Sequence, residues 1–228
     1  MIAGRGRRRA RYWTITLGAL AAGVLGVSPP ALAGSIDAAV RDDKGKPVAD
    51  AVVYLVPAGA AAAARTPPPA TMDQQDKEFI PHVLPIEVGT SVTFPNRDNI
   101  RHHVYSFSPA KKFELPLYIG TPANPVVFDK AGIVALGCNI HDWMVGYVYV
   151  VPTPYFAKTG PDGKARIADA PAGAYDAHAW HPRLKGSPEP SVQRVTLSPT
   201  GTEQAAFAMS LKRDWRPPRR GYEQQQGN

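Results

Sequence analysis

Gly137-Cys138-Asn139-Ile140-His141-Asp142-Trp143-Met144 carries the one cysteine of a 228-residue chain. A thiol, an imidazole and a thioether fall within seven residues, spaced Cys-x2-His-x2-Met. Short apolar runs flank the stretch, Ile133 to Leu136 before it and Tyr147 to Val151 after it. Runs of that length bounded by Gly and Asn read as strands. The octapeptide is then a loop between two strands, which can turn three metal-ligating side chains toward one point.

Soft sulfur ligands with imidazole select copper, and two histidines, one cysteine and a weak axial methionine form the ligand set of a mononuclear blue-copper site. The loop supplies Cys138, His141 and Met144 and lacks one histidine. Upstream, Phe94-Pro95-Asn96-Arg97-Asp98-Asn99-Ile100-Arg101-His102-His103-Val104 offers a doublet. Alternate side chains on a strand point to opposite faces, so only one of His102 and His103 can reach the loop. A buried thiol alone would be an ordinary small hydrophobe. Its coincidence with His141, Met144 and a remote histidine makes a metal site the stronger reading, and a bound thiolate is protected from oxidation in an exported protein.

The rest of the chain suits that setting. Gly 20 and Pro 24 together make 19% of the residues, above an average of about 12%, as in a turn-rich β protein. Further strands are expected at Ser35 to Val40, Ala51 to Val56, Val83 to Ile86, Ser91 to Phe94, His102 to Phe107, Val126 to Phe128, Ala165 to Ile167, Tyr175 to Trp180, Val192 to Leu197 and Gln204 to Leu211. Short, evenly punctuated strands predict an all-β chain of antiparallel sandwiches. Ala58 to Ala70 reads as a loop.

The formal charge of +7 sits at the ends. Arg5, Arg7, Arg8, Arg9 and Arg11 precede an apolar stretch from Trp13 to Val27, and Ala31-Leu32-Ala33 follows. This pattern is that of a secretory signal peptide covering residues 1–33, hence export to the periplasm. Its apolar part is shorter than the ~20 residues a membrane span needs. Removing it takes the charge to +2. A second basic cluster lies in residues 212–228, read as a disordered tail. A nucleic-acid binder carries its basic residues on a folded face, so that class is excluded. No phosphate-binding loop and no Ser-His-Asp order marks an enzyme. His82, His178 and His181 read as structural histidines, and Lys111-Lys112 as a solvated face.

Residues 71–151 resemble the cupredoxins, above all the amicyanin and plastocyanin branch. The loop matches amicyanin's Cys-x2-His-x2-Met in spacing, and Asn96-Arg97-Asp98 followed by His102 resembles the segment bearing the first histidine. The resemblance implies a Greek-key sandwich and one type 1 copper ion. It implies His102, Cys138 and His141 as equatorial ligands and Met144 as the axial one, with His141 as the edge where electrons leave. Asp142 departs from the family, which has Pro there in amicyanin. The flanks, Val40 to Leu55 and Asp162 to Tyr175, resemble a carboxypeptidase regulatory-like domain of transthyretin type. Residues 34–70 and 152–211 would then form a second, discontinuous sandwich into which the copper domain is inserted. The implied function is a non-enzymatic electron carrier between redox proteins, such as a periplasmic dehydrogenase and a cytochrome. The alternatives are a copper storage, trafficking or sensing module, and an adhesion protein in which copper is structural.

Overall fold

The computed structural model describes residues 1, 33–59, 65–186 and 189–214. The signal-peptide segment up to residue 32 and the tail from residue 215 lie outside the described residues, as does part of the expected Ala-rich loop. Lys212, the first residue of the expected tail, is pinned instead. Its N–H donates to the Arg183 carbonyl at 2.7 Å, and its carbonyl accepts from Arg183 Nη1 at 3.1 Å.

The described residues are all β, with no helix. In chain order the strands are β1 (Ala33–Asp42), β2 (Val52–Pro57), β3 (Ala70–Thr71), β4 (Asp73–Gln75), β5 (Glu78–Ile80), β6 (Val83–Glu87), β7 (Thr90–Thr93), β8 (His102–Ser108) and β9 (Lys111–Tyr118). They continue as β10 (Val126–Phe128), β11 (Gly132–Gly137), β12 (Val145–Val151), β13 (Phe156–Lys158), β14 (Lys164–Pro171), β15 (Gly173–Trp180), β16 (Ser191–Leu197) and β17 (Thr202–Met209).

Two of the sheets are built from the chain's ends. One has the order β14-β1-β17 and the other β13-β2-β15-β16. Between them lies a core of Ile36, Val40, Val53, Leu55, Ala177, Phe207 and their neighbours. Strands before residue 58 thus pair with strands after residue 155, and the middle of the chain is looped out from them.

The middle forms a sheet of order β6-β12-β11-β8-β9, a smaller one of order β10-β7-β3, and the hairpin β4-β5. Phe79, Val92, Phe94, Val104, Phe128, Leu136, Val148 and Val150 fill the space they enclose. Phe94, Phe113 and Phe128 meet at tilted and edge-on angles, the arrangement aromatic quadrupoles favour.

A third cluster joins the two halves: Val52 and Tyr54 of β2, Trp180 of β15, Val83 of β6, and Tyr149 and Val151 of β12. It explains why Val52-Val53-Tyr54-Leu55 is apolar without alternation. Val53 and Leu55 face their own core while Val52 and Tyr54 face the other sandwich, because successive side chains leave opposite sides of a strand. Val148 and Val150 against Tyr149 and Val151 repeat the pattern on β12. Inside the joint, the Tyr54 and Tyr149 hydroxyls lie 3.0 Å apart, and burial raises both groups' pKa values. Lys158 spans the joint as well, donating to the Val83 carbonyl at 3.1 Å while paired with Asp50 at 2.8 Å.

Strands β3, β4, β5, β9 and β13 were not expected from the sequence. β9 contains Pro116 and Lys111-Lys112. As the outer strand of its sheet it can hold a proline without losing a ladder bond, and Lys111-Lys112 lies on this edge strand, half-buried and exposed in turn.

Candidate metal centre

β11 ends at Gly137 and β12 begins at Val145, so the Cys-to-Met run is the connection between paired neighbours. A turn closes it: the Met144 N–H donates to the His141 carbonyl at 2.9 Å, and the Val145 N–H to the Trp143 carbonyl at 3.0 Å. Gly137 is required where Tyr105 crosses, since a Cβ there would lie 2.6 Å from the Tyr105 ring.

His102 is the first residue of β8 and wholly buried. Its Nδ1 lies 3.9 Å from Cys138 Sγ, and His141 Nδ1 lies 3.9 Å from the same sulfur. The ligand atoms of His102, Cys138 and His141 all fall within 4.8 Å of one another. A metal bonded at about 2.3 Å to sulfur and about 2.0 Å to nitrogen, the values for zinc, holds S and N about 3.7 Å apart at trigonal angles. The observed separations fit a shared ion. Met144 is buried in the same apolar cluster as Cys138. The thiolate, imidazole and thioether donor set suits copper.

His103 goes elsewhere. Asn139 Nδ2 donates to its Nδ1 at 2.5 Å, and its Nε2 lies 3.0 Å from Glu114 Oε1. The adjacent histidines of the doublet therefore serve opposite faces of β8, as the pleat requires.

The electrostatics around His102 come from a residue that sequence reasoning did not single out. His102 Nε2 lies 2.7 Å from Asp98 Oδ2. Asp98 Oδ1 accepts the Asp76 N–H at 2.7 Å, and Oδ2 the Lys77 N–H at 2.9 Å. Burial pushes the Asp98 carboxyl upward, but the bonds from His102, Lys77 and Asp76 outweigh it and hold the group below its ordinary value. An ionised carboxylate only accepts hydrogen bonds, so His102 carries its proton on Nε2 and turns the Nδ1 lone pair toward Cys138. The sequence sign was its place in the Asn96-Arg97-Asp98 stretch before His102, which marks the segment but assigns the carboxylate no role.

Asn96 stitches this loop together. Its Nδ2 donates to the Ile100 and Tyr118 carbonyls, both at 2.8 Å, and its Oδ1 accepts the Asp98 N–H at 3.0 Å. Behind it the Tyr118 hydroxyl donates to the Phe94 carbonyl at 2.6 Å and meets Gln74 Nε2. Burial pushes that phenol up to about 12.

His141 is only partly buried. Burial lowers its pKa, and His102 and Lys77 lower it further against an opposing pull from Asp98. A neutral ring with a free lone pair is what a metal needs. Around it, Ile140 and Trp143 are 48% and 47% exposed, and the Trp143 ring lies 5.2 Å from the His141 ring. Trp143 is therefore a surface residue. Asp142 is exposed beside them. His178 lies away from this centre, stacked on Tyr54 at 4.6 Å. Among the described residues, His102, Cys138 and His141 form the one group of three or more His, Cys, Asp or Glu side chains able to share an ion.

No protein-family model matches the chain, and no curated protein matches it. Solved structures do. The purple cupredoxin of Nitrosopumilus maritimus is 28% identical over 36% of this chain and 99% of its own, with a TM-score of 0.32. A copper-containing nitrite reductase of Thermus scotoductus is 29% identical over 42% of this chain and 25% of its own, at 0.35. A variant of amicyanin is 25% identical over 43% of this chain and 98% of its own, at 0.33. All three overlap less than half of the chain.

Proposed function

We propose that this protein is an exported type 1 copper protein that carries single electrons between redox partners and is not itself an enzyme. One observation carries the reading: the donor atoms of His102, Cys138 and His141 lie within 4.8 Å of one another, with Met144 buried in the same cluster as Cys138. Copper held there would supply one-electron Cu(II)/Cu(I) chemistry.

The residues divide the work. Cys138 and His102, both buried, keep water and small molecules from the inner side. His141, on the loop, brings one ring edge toward solvent between Ile140 and Trp143. Asn96, Tyr118 and Gln74 brace the segment that carries His102. A braced donor set changes little between oxidation states, which favours a carrier over a site that must open for substrate. The cupredoxin resemblance of residues 71–151 and the sulfur-and-imidazole donor set support the metal. The basic and apolar N-terminal pattern supports the periplasm.

The test is repeated redox cycling of the copper-loaded protein in the presence of a Cu(I) chelator. A carrier passes one electron reversibly and keeps its metal through every cycle. Transfer of copper to the chelator on reduction would overturn the carrier reading in favour of trafficking or storage.

A further inference from the structure

The hairpin β4-β5 has no role in holding the ligand loop directly, yet its turn is built for one contact. Its two central residues, Asp76 and Lys77, both have positive φ, 55° and 61°. That is the geometry of a type I′ turn, usually given to Asn-Gly because side chains resist it. The turn directs the N–H groups of both residues to one carboxylate, that of Asp98. Asp98 is held from its own side by the Asn96 Oδ1 bond to its N–H, and Arg97 beside it is fixed by Asp73 at 2.8 Å. The remaining accepting direction of Asp98 Oδ2 is filled by His102 Nε2.

We propose that Asp98, clamped by the Asp76-Lys77 turn, is the positioning residue of the metal centre: it fixes the tautomer and ring orientation of His102 and biases the bound copper toward its more highly charged state. The proposal rests on the copper reading above for its second half only; the tautomer is a property of the metal-free chain. Carboxylates behind metal-ligating histidines fix the ring and raise its basicity, and their loss typically costs 10- to 100-fold in metal affinity. Here the carboxylate's negative charge acts through the His102 imidazole, and more strongly on Cu(II) than on Cu(I).

Asn cannot replace this group. It has one accepting oxygen, whereas the two Asp98 oxygens accept from Asp76, Lys77 and His102. With its oxygen toward Asp76, its amide NH2 faces both the Lys77 N–H and His102 Nε2. That orientation favours moving the His102 proton to Nδ1, the atom that must face the metal. With its oxygen toward His102, its NH2 faces the Asp76 N–H and the clamp loosens.

The experiment has two arms. In the first, 15N NMR of the metal-free, full chain near neutral pH reads which ring nitrogen of His102 carries the proton. Protonation at Nε2 is expected in the wild type, with a shift toward Nδ1 in Asp98→Asn. A wild-type ring protonated at Nδ1 overturns the proposal, and this measurement needs no variant to fold. In the second arm, Cu(II) affinity by chelator competition and the reduction potential are compared among wild type, Asp98→Asn and Asp98→Ala. The expected result is a 10- to 100-fold loss of Cu(II) affinity and a raised potential, since each tenfold loss for Cu(II) beyond that for Cu(I) is 59 mV for one electron. A folded Asp98→Asn or Asp98→Ala protein with unchanged affinity and potential overturns it. If the wild type takes up no copper, the copper reading fails, and the first arm still decides the role of Asp98.

Discussion

Gly146 of β12 offers a sharp test of how the sandwich that carries His102, Cys138 and His141 is packed. It lies buried opposite Leu136, and a Cβ placed on it would come within 2.7 Å of Phe79 Cβ, 3.0 Å of Cγ and 3.1 Å of Cδ2. Phe79 is 1% exposed in the core, and its Cβ moves only with the backbone of β5. Gly146→Ala therefore forces β5 outward instead of merely turning a side chain. Overpacking of this kind costs about 1–3 kcal/mol. At about 2–4 °C per kcal/mol for a chain of this size, the unfolding midpoint should fall by roughly 2–12 °C. The assay is thermal and urea unfolding of the metal-free protein. In a Phe79→Gly background all three close atoms are gone, so Gly146→Ala should cost less there, with a coupling of about 0.5–3 kcal/mol. Displacing β5 also displaces the Asp76-Lys77 turn, so copper affinity should weaken in Gly146→Ala. A variant as stable as the wild type, with no coupling to Phe79, would refute the packing argument.

Four other outcomes are expected. Tyr54→Phe and Tyr149→Phe each leave a buried hydroxyl alone and should cost about 1–3 kcal/mol by urea unfolding, while the double variant should cost less than the sum. Burial holds His178 below its ordinary value, against a smaller opposing pull from Asp176. The unfolded chain then binds the proton first, so stability is full above about pH 6.5 and is lost as pH falls through the lower folded value. Urea midpoints from pH 8 to pH 5 should drop less steeply in His178→Gln. His102→Ala should abolish tight Cu(II) binding, whereas His103→Ala should retain it, as measured by chelator competition. Met144→Leu should keep copper and raise the reduction potential in voltammetry, because the axial ligand tunes it.

The loop from Gly137 to Met144 was legible as a candidate site because its chemistry is local: Cys138, His141 and Met144 lie within seven residues, and the strands on either side have apolar period and turn punctuation. His102 was legible as one of a pair, since alternation on a strand forces a choice. The run Val52 to Leu55 was read correctly as a strand, but nothing in it told that its two faces serve different cores. β9 was hidden by Pro116, whose penalty vanishes at a sheet edge. Asp98 was hidden for a deeper reason. Its partners are backbone N–H groups of Asp76 and Lys77, which every residue possesses, and a turn that brings them to a distant carboxylate leaves no mark in residue type.

The central claim, a thiolate of Cys138 sharing one copper ion with two imidazoles, is tested most directly by the visible absorption spectrum of the protein titrated with Cu(II). An intense blue or purple band that saturates at one copper per chain and disappears in Cys138→Ser is the predicted result. A colourless Cu(II) protein, or a spectrum that Cys138→Ser leaves unchanged, would contradict it.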